Sequence, residues 1–148
     1  DCQPCGLGAR DTLRMEMGFL LSGQDFNPDT NPRNPYEARV AFAVKLDTEF
    51  VGRDALEQAK AEGVDERFVG FRLIDRGVPR QGYDIATTDD DEVIGEVTSG
   101  TMSPTMDAPI GLGYVPTEYA DPGTDVRLLI RGRSKKAKIE STPFLEGY

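Results

Sequence analysis

Beyond residue 65 the chain is a succession of short apolar runs cut by turn residues, and that rhythm limits the folds open to it. The runs are Phe68–Ile74, Asp84–Thr88, Val93–Thr101, Ile110–Val115, Val126–Arg131 and Ala137–Ser141. Between them lie Arg76-Gly77, Asp89–Asp91, Pro104–Pro109, Pro122-Gly123 and Gly132. Short strands recurring about every 8–15 residues, with Gly, Pro and Asp at the joints, predict an antiparallel sandwich or barrel.

Upstream the period is different. Leu13 and Met17, with Ala9 and Met15 less strictly, carry apolar side chains at helical spacing, while Arg10, Arg14 and Glu16 are polar. A helix is expected near residues 8–17, closed by Gly18, which takes a left-handed conformation cheaply. Residues 22–36 are rich in Gly, Asn and Pro and read as a loop. Pro35 suits the first turn of a short helix through Tyr36, Glu37 and Ala38, and Val40–Leu46 alternates weakly, as a short strand would. Gly52–Glu62 predicts a second helix, with Ala55, Leu56 and Ala59 on its apolar face. Asp54 and Glu57 lie towards its positive end, Lys60 lies towards the other, and Gly63 follows. The expected class is therefore α+β, a mixed helical segment over residues 1–65 followed by a β-domain over 66–148.

The composition excludes several activities. There is no histidine, so neither a Ser-His-Asp nor a Cys-His nucleophile pair can be built within these 148 residues. The commonest metal ligand is missing too, and no metal is expected. Asp and Glu number 26 against 17 Lys and Arg, a net charge of −9. That balance opposes binding to nucleic acid or an anionic membrane, both of which need a cationic surface. Acidity spread along the chain with few lysines also suits high salt, where exposed charge is strongly screened. An ordinary acidic cytoplasmic protein has the same signature. No run approaches the roughly 20 apolar residues of a membrane span, and the cytoplasm is the expected compartment. Cys2 and Cys5 form a lone C-x-x-C pair without a second pair or a His, and are read as incidental thiols.

Several clusters have a possible chemistry and a plainer reading. Thr98–Thr105 is dense in hydroxyls around Gly100 and could cradle an anion, but it lacks the P-loop pattern and reads better as a strand end. Gly111-Leu112-Gly113 lacks the third glycine and the following helix of a dinucleotide site, so its glycines point to a bulge or tight packing. Val78–Tyr83 reads as a connection between strands, and Asp89–Glu92 as a solvated hairpin tip rather than a calcium loop. Arg10 and Arg14 lie one helical turn apart. A guanidinium can clamp a carboxylate, although surface ion pairing is the plainer expectation.

Three segments, in order, resemble one family. Gly6–Glu16 is similar to the "GLGARDxLRxE" helix of the glycine cleavage T-proteins (aminomethyltransferases). Ile94–Thr105 is similar to their "IGxVTSGxxSPT" strand and turn, and Ile110–Pro116 to "IxLGYVP". Pro122-Gly123-Thr124 and Pro143-Phe144 fall where the family has "PGT" and "PF". The resemblance implies three domains around a folate channel. Residues 1–65 would then be the end of the folate-binding aminomethyltransferase domain, and 66–148 the C-terminal β-barrel domain.

It also implies transfer of a methylene group from the aminomethyl-lipoyl arm of H-protein to tetrahydrofolate, with release of ammonia. The family's catalytic aspartate would lie upstream. A chain that begins at Asp1 is then expected to be a fragment, inactive by itself. Arg10 matches the family's substrate-contacting arginine, and Tyr148 a tyrosine shortly after the terminal "PF". One departure is Arg39, where many members have glycine. The same C-terminal domain occurs in folate-dependent demethylases and in dimethylglycine- and sarcosine-oxidising enzymes. A lid or docking domain of such a relative, or a non-catalytic folate-binding module, is the competing expectation.

Overall fold

The structure is a computed structural model that describes residues 2–145. Its centre is a closed barrel of six strands: β1 (Glu66–Leu73), β2 (Asp84–Ala86), β3 (Val93–Ser103), β4 (Ala108–Pro116), β5 (Asp125–Ile130) and β6 (Arg133–Glu140). Around the barrel they run β1-β4-β3-β2-β5-β6, with β6 returning to β1, and every pairing is antiparallel. Of the two architectures the turn rhythm allowed, the barrel is the one formed. Closure leaves no strand edge without a partner.

Alternation along the strands fills the interior. Val69, Phe71, Leu73, Ile85, Val97, Val115, Val126, Leu128, Ala137 and Ile139 form the barrel core. β4 is covered on both sides. Its odd positions face the barrel, and the ring of Phe71 occupies the space a side chain at Gly111 would need: a Cβ there would lie 2.2 Å from Cζ. A Cβ on Gly113 would lie 2.4 Å from the Glu96 carbonyl oxygen. The glycines thus serve tight packing, as their place in a strand suggested. The even positions Ile110, Leu112 and Tyr114 face outwards and form a second apolar cluster with Met15 and Phe68. Met15 belongs to α1 (Leu7–Glu16), which lies across the outside of β3 and β4.

Helix α2 (Arg53–Glu62) follows the reading of Gly52–Glu62, with Gly52 and Gly63 at its ends. None of its residues is buried: Leu56 and Ala59 are half-covered, and Ala55 is exposed.

Three local expectations are corrected. Residues 35–39 form only a turn, in which Asn34 Oδ1 accepts from the backbone of Tyr36 at 2.8 Å and Glu37 at 3.0 Å. The turn cannot extend into a helix because Arg39 sits at φ 59°, the left-handed region that disfavours a side chain. Val40–Leu46 is not a strand: Ala41–Ala43 make one 3₁₀ turn, and Phe42 stands 79% exposed. A strand needs a neighbour for its backbone groups, and among the described residues none runs beside this segment. In α1 the buried face is also not the apolar stripe read from spacing. Met15 and Glu16 are buried, whereas Leu13 is 63% exposed.

Candidate functional site

The sequence around α1 explains how a charged helix can lie against a barrel. β3 carries a row of hydroxyls, and each finds a charged or polar partner on the N-terminal segment. Asp25, wholly buried in the loop after α1, accepts from Thr98 Oγ1 at 2.5 Å and Ser99 Oγ at 2.6 Å through Oδ1. Its Oδ2 accepts from Arg14 Nη1 at 2.5 Å and from the Leu21 backbone at 2.8 Å. Side chains of consecutive strand residues ordinarily point to opposite faces. Here both hydroxyls reach one oxygen because the β3–β4 register shifts between Val97 and Ser99, leaving Thr98 as an inserted residue.

Arg14 completes the cluster. It donates to Asp11 Oδ1 at 2.8 and 2.7 Å, to Ser99 Oγ at 2.6 Å and to the Phe19 carbonyl at 3.1 Å. Its side chain is only 9% exposed. The surface ion pair expected for this arginine is thus a buried, multiply bonded one, with charge-assisted bonds at every contact. Two residues further on, buried Glu16 accepts from Ser103 Oγ at 2.5 Å and Thr105 Oγ1 at 3.3 Å. The Phe144 backbone donates to the Glu16 carbonyl at 2.9 Å. The hydroxyl-rich segment Thr98–Thr105 therefore holds anions, but they are the protein's own carboxylates.

Arg10 has the opposite fate. It is exposed, on the face of α1 turned away from the barrel, flanked by Leu7 at 76% and Leu13 at 63% exposure. Among the described residues it makes no hydrogen bond or ion pair, and its guanidinium can receive a carboxylate or carbonyl from outside. Tyr148, the other residue singled out, lies outside the described residues. Cys2 and Cys5 are free and exposed.

A second feature was invisible in the sequence. Between the loop over residues 23–33 and strands β3 and β4 lies an open cleft of about 660 Å³. In its wall the Arg33 guanidinium stacks 4.0 Å above the Tyr114 ring and pairs with Glu66. The Arg33 Nε and Tyr114 Oη atoms are buried without a partner among the described residues. Burial pushes the Tyr114 phenol above its ordinary pKa, against the opposing pull of Arg33. Arg10 does not line this cleft, so the two features are separate. Among the described residues no group of three or more Cys, Asp and Glu is placed to hold a metal ion.

Comparison with known proteins supplies the context. Residues 66–146 match the family profile of the glycine cleavage T-protein C-terminal barrel domain, and residues 1–48 that of the GCVT N-terminal domain. The chain belongs to the glycine cleavage T-protein family. A protein of Haloarcula marismortui named "Probable aminomethyltransferase" is 64% identical over 99% of this chain. An aminomethyltransferase of Symbiobacterium thermophilum is 50% identical over 95%.

The crystal structure of the glycine cleavage system aminomethyltransferase T from Bartonella henselae superposes with a TM-score of 0.85 at 34% identity, over 95% of this chain. The chain spans about 40% of the length of these relatives: 40%, 37% and 39% respectively. The Haloarcula relative, and one of 62% identity from Natronomonas pharaonis, come from haloarchaea, which agrees with the high-salt reading of the acidic composition.

Proposed function

We propose that this chain is the C-terminal part of a tetrahydrofolate-dependent aminomethyltransferase, in which Arg10 contacts the folate and the barrel holds the helix that carries it. The observation that carries the reading is the contrast between the two arginines of α1. Arg14 is locked by Asp11, Asp25 and Ser99, whereas Arg10 one turn away is exposed and has no partner among the described residues. Tetrahydrofolate offers glutamate carboxylates and a pterin carbonyl, both good acceptors for a guanidinium. Residues 1–65 then close the folate-binding domain, residues 66–148 form the C-terminal domain, and Tyr148 is a second folate contact.

In this reading the parent enzyme takes the methylene group from the aminomethyl-lipoyl arm of H-protein and releases ammonia, in the cytoplasm and without a metal. These residues include no histidine for proton transfer, and the carboxylates of α1, Asp11 and Glu16, are tied to Arg14 and to the Ser103 and Thr105 hydroxyls. The catalytic carboxylate therefore comes from the part of the family's length that this chain does not span, and the chain alone should not turn over.

The test is a methylene-transfer assay with aminomethyl-lipoyl H-protein and tetrahydrofolate. The chain would be assayed by itself and mixed with the N-terminal remainder of the Haloarcula relative. The proposal expects no product alone and product in the mixture. Turnover by the chain alone would sink the assignment of the acid to the missing part. A mixture that binds tetrahydrofolate but never turns over would favour a non-catalytic folate-binding module.

A further inference from the structure

The contacts that hold α1 converge on one side. The helix packs chiefly on β3 and β4, and four polar links reach β3 or the turn beyond it: Thr12 to Thr101, Arg14 to Ser99, and Glu16 to Ser103 and Thr105. Asp25 adds a brace from the loop that follows, bonded at once to Arg14, Thr98 and Ser99. Few apolar contacts assist: of the helix's own side chains, only Met15 enters the apolar cluster. Charge-assisted bonds of this kind are directional, whereas apolar packing alone tolerates sliding and rotation. A rotation of α1 about its axis would swing Arg10 around the helix and break the Arg14–Ser99 and Glu16–Ser103 bonds together.

We infer that Asp25 and Ser99 are positioning residues that set the outward aim of Arg10 through Arg14. The inference rests on the reading of Arg10 as a folate contact, but the geometric part stands apart from it. Asp25 is buried and Ser99 is buried, so neither can touch a ligand at the outward face of α1. Both act on that face only by fixing the rotation of the helix. The inserted residue in β3 is part of the device, since it brings a second hydroxyl onto the same carboxylate oxygen.

Two readouts test this. In a chain with Cys2 and Cys5 replaced by Ser, nitroxides at Leu13→Cys and Lys136→Cys report the distance between α1 and the far side of the barrel. The inference expects one narrow distribution in the parent. In Ser99→Ala and Asp25→Asn it expects broadening, or a shift of at least about 1.5 Å, the rise of one helical residue. Near-UV circular dichroism must show the barrel intact. If Asp25→Asn does not fold, Ser99→Ala decides. Distributions that stay narrow and unshifted in the folded variants would overturn it.

The second readout is a cycle on tetrahydrofolate affinity. Asp25→Asn or Ser99→Ala should weaken binding about tenfold, which is about 1.4 kcal/mol. The same change should have no further effect in an Arg10→Ala background. A merely stabilising network would lower the melting temperature and leave the affinity of the folded protein unchanged. If the parent chain binds no tetrahydrofolate, the folate role of Arg10 fails while the distance measurement still decides the positioning.

Discussion

Truncating Asp25 to Ala removes the acceptor on which the α1–barrel contact is centred. The side chain is fully buried and takes four hydrogen bonds, from Arg14, Leu21, Thr98 and Ser99. Its loss strands the Leu21 amide and the Ser99 proton, leaves Thr98 only its 3.3 Å bond to the Leu112 carbonyl, and takes one of two carboxylate partners from an arginine side chain only 9% exposed. Removing one member of a buried, hydrogen-bonded pair costs about 3–5 kcal/mol, because the other charge is left uncompensated. Asp11 remains on Arg14, so the lower end, about 3 kcal/mol, is expected.

Asp25→Asn keeps the shape and one acceptor, but it places an amide N–H against either the Arg14 and Leu21 donors or the two hydroxyl donors. A loss of about 1–3 kcal/mol follows. The assay is urea or guanidinium unfolding in molar potassium chloride, followed by far- and near-UV circular dichroism. Coupling is the sharper part of the prediction. Asp25→Ala combined with Arg14→Met should destabilise by clearly less than the sum of the single changes, since no fully buried charge is then left unpaired and Asp11, which also loses Arg14, is 31% exposed. A loss below about 1 kcal/mol for Asp25→Ala, or strict additivity with Arg14→Met, would refute the account of a coupled buried network.

Tyr114→Phe should be neutral or slightly stabilising at pH 7, because the phenol oxygen has no partner to lose among the described residues. Burial raises the folded-state pKa of Tyr114 above the unfolded value of about 10. Its neutral form therefore contributes stability fully below that pH, and the contribution declines above it by up to about 1.4 kcal/mol per pH unit. Alkaline unfolding curves of the two proteins should diverge above pH about 10, and parallel curves would contradict the desolvation argument. Arg39→Gly relieves a left-handed residue and should raise the unfolding free energy by about 1 kcal/mol; a loss would show that the Arg39 side chain matters more than its backbone. Gly111→Ala forces a methyl into the buried Phe71 ring and should cost about 1–3 kcal/mol, checked by thermal denaturation.

The antiparallel strands were legible because turn residues bound them, but that rhythm left sandwich and barrel open, and closure of β6 onto β1 decides between them. The hairpin between β5 and β6 turns on Arg131 and Gly132, at φ 50° and 72°, a two-residue loop of the kind strand twist favours. The glycines of β4 were also legible as packing, although the partner ring of Phe71 was not. What escaped was everything decided by long-range pairing. Asp25 sits among turn residues, and nothing local distinguishes it from a solvated aspartate; Thr98 and Ser99, 73 and 74 residues away, give it its role. The α1 stripe was misjudged for the same reason: Glu16 is buried because Ser103 and Thr105 solvate it, so polarity was no guide to its face. Val40–Leu46 has strand-like residues, yet strand character is realised only beside a partner. Arg33 over Tyr114 joins residues 81 positions apart, beyond any periodicity. The arginine of the α1 motif was singled out as a substrate contact only by resemblance, since charge and spacing treat Arg10 and Arg14 alike; that one is exposed and the other held against the barrel is visible only in the fold.

The most direct test is calorimetric titration of tetrahydrofolate into this chain and into its Arg10→Ala variant, at low and molar salt. The account predicts binding by the parent that weakens about tenfold, or about 1.4 kcal/mol, in the variant, with the barrel intact in both. Equal affinities, or no binding by either protein at either salt, would contradict it.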